Sequence, residues 1–114
     1  MTDQTDGQIG VVLTTTAADL SVTPAGKVRK FLSIQAANVN GVDHVDVTVQ
    51  WTDASSDPAH AVTRLAYQLE VPAKDGRPTL TGPFSLSAGN KLQGLCSADG
   101  DAELTIIFYD EDAV

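Results

Sequence analysis

Two histidines, one cysteine and fifteen carboxylates are the side chains with which this 114-residue chain could do chemistry. His44 and His60 fall in neither a metal-ligand nor a triad spacing, and both read as solvent-facing residues. Cys96 follows Leu95 and shares its parity with Leu92 and Gly94, without a cationic neighbour or helix N-terminus to lower its pKa; it reads as a small buried hydrophobe. Asp99, Asp101 and Glu103 recur at every second position, as calcium-loop ligands can. The sixth and twelfth positions counted from Asp99 are Leu104 and Asp110, where an EF-hand needs Gly and Glu. A turn with wet flanks is the better reading there, and Asp43, His44 and Asp46 read as the polar face of a strand. Gly-rich phosphate loops and Gly-x-Ser-x-Gly settings are absent. No spacing assembles a nucleophile with its base or a complete metal site. The sequence therefore predicts no enzyme: no catalytic residue, no cofactor and no metal.

Binding chemistry is the alternative. A sugar-binding module stacks exposed aromatics on its ligand. The six aromatics are Phe31, Trp51, Tyr67, Phe84, Phe108 and Tyr109. Trp51 shares parity with Val45, Val47 and Val49, which favours a core position, so a carbohydrate- or surface-binding module stands second. A net charge of −8 disfavours neutralising nucleic-acid phosphates or anionic lipid. No apolar run approaches the ~20 residues of a membrane span. The first residues, Met1 to Asp6, lack the basic and apolar regions of a secretory signal. A single cysteine excludes an internal disulfide framework.

The elements that would position these residues are strands. Val45, Val47, Val49 and Trp51 alternate with Asp46, Thr48, Gln50 and Thr52, a period of two with one core face and one wet face. Leu104, Ile106 and Phe108 alternate likewise before an acidic tail, Asp110-Glu111-Asp112, read as solvated. Val28 to Val39 carries apolar residues on both parities, which predicts a central strand partly buried on both faces. Further strands are expected at 9–13, 20–22, 79–81, 84–86 and 91–97. Residues 58–70 fit both a Pro-started helix and an alternating strand; the β-rich neighbours favour strand. Asn40-Gly41, Asp75-Gly76 and Asp99-Gly100 have the chemistry of tight hairpin turns. The expectation is an all-β chain: an antiparallel β-sandwich, jelly-roll-like, of about eight short strands. Residues 1–9 form a flexible arm and residues 10–114 a single domain. The expected core includes Leu32, Ile34, Val45, Val47, Val49, Trp51, Leu104, Ile106 and Phe108.

The punctuation of this pattern resembles a recurring kind of small bacteriophage accessory virion protein. The matched positions are Pro24, Ala25, Gly26 and Lys27 in a turn, then Ile34 and Asn38 in a strand. Tyr67, Leu69 and Pro72 follow, then Ala88, Gly89 and Leu92. Asp53 to His60 and Gln93-Gly94 depart from the pattern. The resemblance spans nearly the whole chain beyond residue 9. It implies a non-enzymatic structural component of a phage virion, such as a capsid decoration or a neck, collar or tail accessory. Such a protein is expected to be homo-oligomeric and to contact other virion proteins, but neither nucleic acid nor membrane. The first nine residues and the loop from Thr52 to Pro58 are the expected contact segments.

Overall fold

The computed structural model describes residues 5–55, 61–80 and 82–113. Nine strands occur among them, and no helix: β1 (Thr5–Val12), β2 (Ala18–Val22), β3 (Lys27–Asn38), β4 (Val45–Asp53), β5 (Ala61–Val71), β6 (Gly76–Pro78), β7 (Phe84–Ser87), β8 (Lys91–Cys96) and β9 (Ala102–Asp112). One sheet has the order β1-β9-β3, with β6 and β7 both paired to the far side of β3; the other has the order β2-β8-β4-β5. All pairs are antiparallel. With β6 and β7 as two pieces of one strand position, this is the eight-position wrapping of a jelly roll. The fold class is as the alternation predicted.

The core lies between the sheets. Phe31, Ile34, Leu104 and Ile106 of the first sheet face Val45, Val47, Val49 and Leu92 of the second, all at most 1% exposed. Phe31 stacks on Phe84 at 5.1 Å between ring centroids. Gly94 makes room for its neighbours, since a Cβ there would come within 2.9 Å of a Leu20 methyl on the adjacent strand β2 and 3.2 Å of Leu13. Gly7 of β1 lies under the ring of Phe108, its partner on β9, where a Cβ would collide with that ring.

Several local expectations are corrected. Leu32 is 52% exposed whereas Phe31 is fully buried. The register of β3 against β9 shifts between Phe31 and Ser33, a bulge at Leu32. An inserted residue reverses which parity faces inward: Phe31 points in before it, and Ile34, Ala36 and Asn38 point in after it. Apolar residues on both parities recorded that switch rather than two buried faces. Trp51 is half-buried, packed at the edge of the core.

Asn40-Gly41, Asp75-Gly76 and Asp99-Gly100 do not close hairpins, because β3 to β4, β5 to β6 and β8 to β9 each cross from one sheet to the other. Of these six residues only Gly100 has positive φ, at 79°. In the β5–β6 turn that conformation falls on Lys74 instead. Asn40 serves by its side chain, accepting the backbone N–H groups of Val42 and Asp43. Gly76, expected in a tight turn, opens β6 instead, and Thr79 and Leu80 of the strand expected at 79–81 lie just beyond β6, outside any strand; residue 81 lies outside the described residues. The ambiguous stretch is strand β5 from Ala61 to Val71.

The acidic tail is not a solvated appendage. β9 runs on to Asp112, and Asp110 is only 7% exposed. Lys27, Arg29 and Lys30 of β3 pair with Asp112, Asp110 and Glu111. At the other terminus, β1 begins at Thr5, so residues 5–9 of the expected arm are sheet; residues 1–4 lie outside the described residues.

Candidate assembly surfaces

Sheets that do not close into a barrel leave edges, whose unpaired N–H and C=O groups can recruit another strand. Four positions here are edges: β1 and β2 on one side of the sandwich, β5 and β6/β7 on the other. Three are blunted. β2 has five residues and a register break between Asp19 and Ser21. β6 and β7 have three and four residues, with Pro78 and Pro83 at the break between them. β5 is long, but its pairing with β4 shifts twice, and Gln68 sits at φ 52° with its N–H donated to Thr48 Oγ1. β1 carries none of these devices. Its eight residues pair with β9 in unbroken register from Thr5 to Val12, and it contains no proline, lysine or arginine.

Two grooves accompany the edges. One of about 240 Å³ opens between β5 and β6 and is lined by Leu65, Ala66, Tyr67, Leu69, Pro78 and Thr79. Arg64 reaches over Tyr67 at 5.4 Å from the ring centroid, and Arg77 pairs loosely with Asp75 at 3.7 Å. Cations thus border an apolar slot on a strongly acidic chain. The second groove, about 250 Å³, follows β1 and β9 and is lined by Gly10, Val11, Val12, Glu103, Leu104 and Thr105. The missing side chain of Gly10 helps to open it.

The residues weighed for chemistry do not converge. His44 is exposed, 3.9 Å from Asp46, and His60 lies outside the described residues. Asp99 accepts the Thr15 N–H, Asp101 accepts from Asn40 Nδ2, and Glu103 is exposed on β9, so the alternating carboxylates do not share a centre. Among the described residues, no group of three His, Cys, Asp or Glu side chains could hold a metal ion. Cys96 is buried and its thiol donates to the Ala98 carbonyl at 3.0 Å. Tyr67 is 63% exposed, but Trp51 is half-buried beside the core, so the two aromatics do not form a platform. Within the expected contact loop, Thr52 and Asp53 belong to β4. The Asp53 carboxylate accepts both the N–H and the hydroxyl of Ser55, which hold its pKa below the ordinary value. Residues 56–58 of that loop lie outside the described residues.

The structural roles of two residues were not read from the sequence, where Asn38 stood only as a matched position of the resemblance and Arg29 was not singled out. Asn38 donates to the carbonyls of Asp43 and Val71 and accepts the Asn40 N–H, tying the two sheets at one end. Arg29 makes a two-pronged pair with Asp110 at 2.7 and 2.8 Å, donates to Ser21 Oγ in the opposite sheet, and lies 4.1 Å from the Phe108 ring centroid. Arg29 thereby ties the sheets at the other end.

No protein-family model matches the chain, and no curated protein matches it. Solved structures do. Bacillus endospore appendages, a family of disulfide-linked pili, match at a TM-score of 0.57 with 11% identity over 99% of this chain and 88% of that one. The T13 particle of IBDV, an icosahedral virus, matches at 0.55 with 9% identity over 96% of this chain and 31% of that one. A pentameric capsid protein from metagenomic phage sequences matches at 0.43 with 18% identity over 89% of this chain and 59% of that one. The pilus and IBDV matches establish a shared fold.

Proposed function

We propose that this chain is a non-enzymatic structural component of a bacteriophage virion or phage-like particle, a capsid decoration or a neck, collar or tail accessory held by protein–protein contacts. The observation that carries the reading is the unblunted β1 edge. A protein that remains alone gains nothing from leaving eight residues of straight edge open to a neighbour. The fold is shared with a chain of an icosahedral virus particle, and the punctuation of the sequence resembles small virion proteins. The net charge of −8 suits a position away from the packaged genome.

A second reading is a subunit of a surface filament. It is favoured by the pilus match, which covers nearly all of both chains. Disulfide linkage is not part of that reading here, because the single cysteine is buried. Mass spectrometry of purified particles, beside sheared cell-surface filaments from the same culture, separates the two. Many copies per particle are expected. Recovery in the filaments alone gives the second reading, and absence from both rejects assembly as the function.

A further inference from the structure

β1 is an edge with only one charged side chain, Asp6, and its own sequence is suited to pairing with itself. An antiparallel pair about a two-fold axis through Ile9, perpendicular to the sheet, keeps the inner faces of both copies on the same side. Residues then oppose each other when their numbers sum to eighteen. Ile9 meets Ile9 of the second copy, Gly7 meets Val11, Gln8 meets Gly10, and Asp6 meets Val12. Ile9 and Val11 pack against the edge of the core and are incompletely covered in one chain; the second copy covers them. The outer-face groove beside Gly10 receives Gln8 of the second copy. The two Asp6 positions are six residues apart along neighbouring strands, about 20 Å, beyond the ~8 Å screening length of physiological salt.

We infer that β1 docks a second copy of this chain by antiparallel β1–β1 pairing centred on Ile9. The four-position sheet of each molecule thereby joins into one eight-position sheet across the two-fold. The pairing deepens the assembly role proposed above and rests on that reading for its biological setting. Other edges are poorer occupants: β5 and β2 are bulged, and β6 and β7 are too short to match eight residues.

The expected strength follows from area. The seven residues that pair in this register, Asp6 to Val12, at ~3.4 Å each give about 24 Å of seam, on a sandwich whose smallest extent is 20 Å. That is roughly 480 Å² per partner against about 800 Å² for a standard interface. A reversible dimer with Kd on the order of 10⁻⁵ to 10⁻³ M is expected. Within a particle, repeated placement raises the effective affinity.

The test is sedimentation velocity on the full chain from about 10 µM to about 1 mM, a range set by that Kd. Gln8 and Gly10 are exposed, and a Cβ at Gly10 meets nothing within 4 Å, so both accept new side chains. In Q8K/G10K, lysine opposes lysine at two places across the seam; dimerisation should weaken roughly tenfold or more. In Q8K/G10E the same two places carry opposite charges, and dimerisation should return at least to the unmodified level. A monomer throughout the range overturns the inference and leaves the edge to a different protein. Growth beyond a dimer overturns the closed two-fold, and equal affinities in all three proteins overturn the register. A dimer of chain that is absent from particles rejects the virion reading alone, and a monomer abundant in particles rejects the pairing alone.

Discussion

Arg29 and Asp110 are eighty-one positions apart in sequence and directly opposed in the sheet. Their side chains keep only 13% and 10% of their surface, so each has given up most of its water for the other. The Arg29 hydrogen bonds hold the Asp110 carboxyl below its ordinary pKa of 3.8 against a smaller opposing effect of burial. A carboxyl depressed in the folded state contributes stability that is complete above the unfolded pKa and is lost as pH falls through the folded value. Wild-type protein should therefore lose more unfolding free energy between pH 5 and about pH 2 than Asp110→Asn does, read by denaturant titration at each pH. Arg29→Met leaves the carboxylate unpaired. It should cost roughly 2–4 kcal/mol at pH 7, towards the low side for a broken buried pair because some water still reaches it. That deficit should narrow in acid as Asp110 takes up a proton. Equal acid sensitivity in wild type and Asp110→Asn would remove the pair from the stability of the fold. None of this was legible beforehand, since a run of Asp-Glu-Asp reads as solvated until its partners are known. Asn38 is parallel: its three bonds reach into the β3–β4 loop and the end of β5, and no local pattern announces that.

At the scale of elements, alternation was legible in β8 and β9, whose inward residues fall at every second position as expected from the sequence. In β4 the three valines point inward as expected, but Thr48, Gln50 and Thr52, expected on a wet face, are buried as well. Legibility failed at insertions and crossings. The bulge at Leu32 puts an extra residue into β3, and periodicity carried across it assigns Leu32 inward and Phe31 outward. The Gly-containing dipeptides mark sharp bends, but bends alone do not distinguish a hairpin from a crossing between sheets. In this topology only β4 and β5 are both consecutive and paired, if the two fragments β6 and β7 are counted as one position. The bulge makes a sharp prediction. Leu32→Lys should change unfolding free energy by no more than about 0.5 kcal/mol, the range of an ordinary surface substitution. Phe31→Ala, one position earlier, should cost about 3–5 kcal/mol through lost burial and the cavity left beside Phe84 and Phe108. A loss above about 2 kcal/mol at Leu32 would restore the uninterrupted register.

For the whole molecule, the charge of −8 sets the conditions under which an edge can be used. Each copy repels the next over a distance fixed by salt. The screening length is about 20 Å near 0.02 M salt and about 4 Å near 0.5 M, so the same seam forms against different opposition. Of the cations, Lys27, Arg29, Lys30 and Lys91 are engaged with carboxylates of their own chain. Arg64, Lys74 and Arg77 lie at or near the far side of the sandwich, around the β5 and β6 edges. β1 itself has no basic residue, so its association gains nothing from ion pairs across the seam and is opposed only by net repulsion. Self-association through β1 should therefore tighten as salt rises from about 0.02 to about 0.5 M. It should also tighten as pH falls from 7 toward the isoelectric point near 4.3, where the repulsion vanishes. Arg29 holds the Asp110 carboxyl below its ordinary value, so this pair keeps its charge further into that descent than an ordinary aspartate would. Contacts made through the Arg64 and Arg77 side, by contrast, would join cations to the acidic remainder of a second molecule, and salt would weaken them. Sedimentation across a salt series thus reads which side of the sandwich is in use. Dimerisation that weakens with added salt would move the self-contact from β1 to the groove between β5 and β6.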